Sequence, residues 1–103
     1  MTKSTPPPEP LWREVVGQEL RERRRRRGDT LHRAAKRAGV SPQYLSEIER
    51  GRKEPSSEML AAVAGALDLS ILDLTLGATR RLTETSSRTE AAVSVQSMFT
   101  LAA

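Results

Sequence analysis

The chain has 103 residues, no cysteine, one histidine and a formal net charge of +4. Without cysteine there is neither a disulfide framework nor a thiolate metal site, and His32 alone cannot build a zinc centre from the usual ligands. No apolar run approaches the ~20 residues of a membrane-spanning helix, and MTKSTPPPEP lacks the apolar core of a signal peptide, so the expected location is cytoplasmic, with no membrane partner.

In chain order, residues 1–10 carry three consecutive prolines and read as an extended, disordered tail. From Leu11 to Arg27, Trp12, Val15, Val16 and Leu20 recur at helical spacing among Arg, Glu and Gln, which predicts a first helix capped by Gly28. Thr30 is the expected N-cap of a second helix, Leu31 to Ala38, whose inner face of Ala34, Ala35 and Ala38 is small enough for close helix approach. Gly39 supplies a tight turn and Val40 plugs the angle. Ser41-Pro42, a capping hydroxyl followed by proline, opens a third helix that buries Leu45 and Ile48 and ends near Arg50, with Gly51 after it.

Pro55 breaks the chain and Ser56 caps a fourth helix, where Met59, Leu60, Val63, Ala64 and Leu67 form a core-facing stripe. Asp68 or Ser70 caps a short fifth helix, SILDLTLG. Its Ile71, Leu72, Leu74 and Leu76 are more apolar surface than one short helix buries inward, so these four residues are the expected homodimer interface. Beyond Gly77 no period is sustained, and residues 78–103 read as a flexible or partly helical tail.

The run from Thr30 to Arg50, helix, sharp turn and second helix, is the layout that places a small helix in the major groove of double-stranded DNA. Charge agrees with it. Leu11 to Lys53 holds 13 Lys/Arg against 6 Asp/Glu, a net of +7, whereas residues 54–103 hold 3 Arg against 6 acids, a net of −3. A localised positive field attracts phosphate backbones. For the run Arg21–Arg27 alone, a solvated helix face and a phosphate-binding face are both open readings. No Ser-His-Asp set, paired buried carboxylates or phosphate-cradling glycine loop is present, and His32 lies on a polar face suited to phosphate or solvent; the expectation is no enzyme and no cofactor.

The order L-R-x-x-R, A-A-x-x-A-G-V-S, Y-L-S-E-I-E-R-G-R-K-E-P-S and A-L resembles the phage-repressor (Cro/C1, XRE) type of helix-turn-helix domain, from about Val16 to Gly77. VVGQELRERR with YLSEIERGRKEPSSEML is similar to the actinobacterial Clp gene regulator group of activators. The resemblance implies an all-α, compact five-helix domain over 11–77, flanked by flexible tails, with the third helix as the reading element. It also implies that Gln43 and Glu47 face base edges, that Thr30 and Ser41 lie at phosphate-facing helix starts, and that Arg50, Arg52 and Lys53 extend the positive surface. Tyr44 and Ser46 join this DNA-binding set, although Tyr44 reads equally as a rim-core residue and Ser46 as a solvated one. Arg24 and Glu49 match the positions of a structural ion pair. Leu31 and Pro42 depart from the family, where Gln is common at both positions, so those amide contacts to DNA are lost.

The C-terminal Leu101-Ala102-Ala103 resembles the Leu-Ala-Ala end of degradation tags read by Clp-type proteases. The expected function is a sequence-specific transcriptional regulator, an activator of Clp protease genes that binds a palindromic operator as a homodimer. It would be nucleoid-associated, with RNA polymerase and a Clp-type protease as further partners and the C-terminus as degron. The alternative is an antitoxin-like or phage-type repressor whose tail engages a protein partner.

Overall fold

The computed structural model describes residues 11–84; residues 1–10 and 85–103, the latter including Leu101, Ala102 and Ala103, lie outside the described residues. Four helices, α1 (Trp12–Arg26), α2 (Leu31–Ala38), α3 (Pro42–Glu49) and α4 (Ser57–Ala66), are followed by α5 (Ile71–Glu84), with no strand among the described residues. No single helix described is long and apolar enough to cross a membrane.

Short helices are marginal alone, so their ends decide where they form. The hydroxyls of Thr30, Ser41 and Ser56 accept from the backbone N–H of Arg33, Tyr44 and Met59 at 3.1, 3.0 and 3.2 Å. Ser70 rather than Asp68 starts α5. Its hydroxyl accepts from Asp73 N–H at 3.0 Å, and the Asp73 carboxylate accepts from Ser70 N–H at 3.1 Å. This reciprocal pair satisfies two otherwise orphaned donors. Asp68 instead lies in the left-handed region (φ 56°), closing the turn after α4. Between α2 and α3, Gly39 at φ 73° lets Val40 N–H return to Ala35 O at 3.0 Å, fixing the corner of the helix-turn-helix.

The core joins Val15, Val16 and Leu20 of α1 to Ala34 and Ala35 of α2, Leu45 and Ile48 of α3, Val63, Ala64 and Leu67 around α4, and Leu74 and Ala78 of α5. Burying Leu20, Leu45 or Ile48 contributes about 1.5–3 kcal/mol each. The two alanines of α2 let it pack closely against both α3 and α4. Between α1 and α3 the contact is tighter still. Gly17 is buried where any Cβ would collide with the carbonyl oxygens of Ile48 and Glu49.

Two expectations need correction. Leu74 is 1% exposed and belongs to the core, so it is no part of an exposed apolar face. The fifth helix does not end at Gly77. It continues to Glu84, because Ala78 packs fully buried one turn after Leu74 and Arg81 is tied to α1.

Candidate nucleic-acid interface

Helix α3 divides cleanly. Leu45, Ile48 and Glu49 are buried, Gln43 and Arg50 are exposed, and Ser46 and Glu47 are half-buried at the outer edge. The 3.6-residue period puts Gln43, Ser46, Glu47 and Arg50 on one outward stripe. Tyr44 is half-buried and packed against the core cluster, which fits the rim-core reading of this residue.

Both helix starts beside this stripe carry a hydroxyl that already accepts a capping N–H, from Arg33 to Thr30 and from Tyr44 to Ser41. A hydroxyl that accepts still has its own O–H to donate, so Thr30 and Ser41 can each offer a proton to an external oxygen. Leu31 packs partly against the core, and Pro42 occupies the first position of α3. The two departures from the family pattern thus have local structural roles.

Beyond α3, Arg52 and Lys53 are exposed. Lys53 Nζ lies 3.8 Å from Glu47 Oε2, a loose and mostly solvated pair that offsets the carboxylate's charge without fixing its position.

Beneath the stripe, Arg24 and Glu49 form a two-point pair: Nε to Oε2 at 2.8 Å and Nη2 to Oε1 at 2.9 Å. The remaining Nη1 donates to Asp29 O at 3.0 Å, which links the pair to the loop before α2. The Glu49 hydrogen bonds raise the Arg24 pKa above its ordinary value, outweighing the opposing effect of burial. On the neighbouring loop, Asp29 accepts from Arg37 and from Arg27 Nε, and these two bonds hold its pKa below the ordinary range. Arg37 Nε also donates to Ala66 O at 3.0 Å, closing the end of α4.

Glu19 is only faintly marked in the sequence. It is 6% exposed, and its carboxylate lies against Gly77, accepting from Arg23 Nε at 2.9 Å and Arg81 Nε at 2.8 Å. Burial pushes its pKa up, but the two arginines outweigh burial and hold it below the ordinary value. The only sequence hint is the i, i+4 spacing of Glu19 and Arg23. On α5, Ile71, Leu72 and Leu76 are exposed, Leu72 by 65%. Among the described residues no group of His, Cys, Asp and Glu is arranged to hold a metal.

A helix-turn-helix family model matches residues 20–74. The chain is 51% identical over 72 residues to the transcriptional regulator ClgR of Mycobacterium tuberculosis, a match covering 70% of this chain and 64% of that protein's length. In structure it is similar to the clp gene regulator ClgR of Corynebacterium glutamicum (TM-score 0.79, 44% identity, covering 86% of this chain and 95% of that one). It is also similar to the restriction-modification controller protein C.AhdI of Aeromonas hydrophila (TM-score 0.59, 31% identity, covering 60% and 94%). The family match takes in the Arg24–Glu49 pair, the glycine corner and the whole outward stripe of α3, and on this ground the chain belongs to the Cro/C1-type helix-turn-helix family.

Proposed function

We propose that this protein is a transcriptional regulator that binds double-stranded DNA through α3. The observation that carries this reading is the outward stripe of Gln43, Ser46, Glu47 and Arg50, flanked by two hydroxyl-capped helix starts and followed by Arg52 and Lys53. Gln43 suits paired hydrogen bonds to adenine, and Glu47 accepts from cytosine N4. Thr30, Ser41, Arg50, Arg52 and Lys53 position the domain on phosphates. Tyr44 sits at the rim of this set.

The regulator acts as a homodimer joined through Ile71, Leu72 and Leu76 and reads a palindromic operator with half-sites about 10 bp apart. The likeness to proteins named clp gene regulators supports clp genes as targets. Activation, through RNA polymerase, is part of the same proposal. Leu101, Ala102 and Ala103 act as a degron for a Clp-type protease, closing a feedback loop. Replacing Ala102 and Ala103 by aspartate should lengthen the protein's half-life in cells.

Genome-wide occupancy of wild type and of Gln43→Ala/Glu47→Ala tests the central claim. The folded double variant should lose the wild-type sites, at about 1–3 kcal/mol for each lost base contact. If it occupies the same sites, α3 does not read sequence in this way. Sites beside a toxin-like gene, rather than upstream of protease genes, would move the assignment to an antitoxin-like repressor.

A further inference from the structure

The basic run Arg21–Arg27, interrupted only by Glu22, is divided in structure. Arg23 is bonded to Glu19, Arg24 to Glu49, Arg26 to Glu22 and Arg27 to Asp29 and Asp68. The side chains of Arg21 and Arg25 have no ion pair or hydrogen bond among the described residues. At 100° per residue, these two lie one turn apart on the same stripe of α1.

That stripe flanks the helix-turn-helix. Arg21 lines a small pocket with Arg24, Leu31, Ser46, Glu49 and Arg50, where α1, the start of α2 and the outer edge of α3 meet. The one carboxylate in the pocket, Glu49, is already neutralised by Arg24. What remains to an incoming group is the Arg21 and Arg50 guanidinium groups and the Ser46 hydroxyl. A pocket with two uncommitted cations and one hydroxyl donor favours an oxyanion of phosphate type.

We infer that Arg21, outside the helix-turn-helix, acts with Arg50 to hold a DNA backbone phosphate in this pocket, with Arg25 continuing the same track one turn along α1. The inference rests on the DNA-binding reading above. It assigns to α1 a share of the electrostatic grip, distinct from the base contacts of α3. The other four arginines of the run are occupied inside the domain and add little to it.

The test is salt-dependent binding of the full chain to a short random-sequence duplex, where affinity is almost wholly electrostatic. Four proteins are compared: wild type, Arg21→Gln, Arg21→Lys and Arg80→Gln. Arg80 is also exposed and unpaired among the described residues, but it lines a cleft with Glu19, Arg23, Arg26 and Arg81, on the α5 side of α1. Arg80→Gln therefore makes the same change in net charge at a different place.

Arg21→Gln should flatten the plot of log affinity against log salt by about 0.9 per protomer, the value of one lost phosphate contact. Arg21→Lys should restore most of the slope and Arg80→Gln should leave it unchanged. An unchanged slope in Arg21→Gln overturns the assignment, and so does an equal flattening in Arg80→Gln, which would make the effect one of net charge. If wild type itself binds no duplex at low salt, the DNA-binding reading fails first, and this assignment falls with it.

Discussion

Arg24 and Glu49 face each other across the α1–α3 contact in a parallel, two-point hydrogen bond, with side chains 13% and 5% exposed. A pair this enclosed contributes little net stability but is costly to break from one side, since the remaining charge stays buried without its partner. Glu49→Ala or Arg24→Ala should therefore cost about 3–5 kcal/mol in urea unfolding. Replacing both residues by leucine should recover much of that loss. If either single variant loses less than the double, the pair is not a coupled unit.

Two glycines within helices should respond to alanine with opposite signs. Gly17→Ala drives a methyl group into the Ile48 and Glu49 carbonyls and should destabilise by about 1–3 kcal/mol. Gly65 lies exposed in α4 with nothing within 4 Å of an added Cβ, so Gly65→Ala should stabilise by up to about 1 kcal/mol through helix propensity. Thermal midpoints of the two variants check both signs in one experiment.

Stability should fall in acid. The Glu19, Asp29 and Asp73 carboxyls are all held below their ordinary pKa values in the folded chain. Groups of this kind stabilise fully above the unfolded-state pKa, and the stabilisation is lost as pH falls through the folded one. The loss should thus begin near the ordinary glutamate value of 4.5 and deepen below it. Urea midpoints followed from neutral pH down to about pH 3 measure this slope. Glu19→Gln should start less stable and show a shallower decline.

The exposed and buried leucines of α5 should separate by assay. Leu72→Ser with Leu76→Ser should leave the helical signal intact and, in sedimentation, shift the protein towards monomer. Leu74→Ala should instead lower stability by about 2–5 kcal/mol, because it empties a fully buried site. A dimer that survives the Leu72/Leu76 change would place the subunit contact elsewhere.

The helix-turn-helix was legible because its signals are local. Thr30, Ser41 and Ser56 announce helix starts by their hydroxyls, Gly39 marks the corner, and the alanines of α2 advertise a close contact. The fifth helix was harder to read. Ile71, Leu72, Leu74 and Leu76 cover more than one face, so periodicity could not show that Leu74 alone points inward. Past Gly77 the inward stripe continues through Ala78, whose single methyl carries almost no hydrophobic signal. The buried position of Glu19 depends on Arg81, 62 residues away, and no local pattern encodes that separation.

At the outer surface, residue type indicated which side chains of α3 are polar but not which cations of α1 are already committed. The same holds for Lys53, beyond α3. Counted as a phosphate ligand, it also lies beside Glu47. Lys53→Ala would therefore remove a phosphate contact and leave the Glu47 carboxylate less screened, so its effect on DNA affinity should exceed that of Arg52→Ala.

The missing side chain at Gly17 also limits how the domain can adapt. With helix backbones in contact there, and Arg13 Nε bonded to Gly51 O at 2.9 Å on the same side, α3 has no slack in which to roll or slide over α1. On the proposed function, a reader this stiff cannot re-aim itself to suit each operator. Differences in groove shape must be absorbed by bending the duplex, so base pairs that no side chain touches would still contribute to the choice of site through their stiffness.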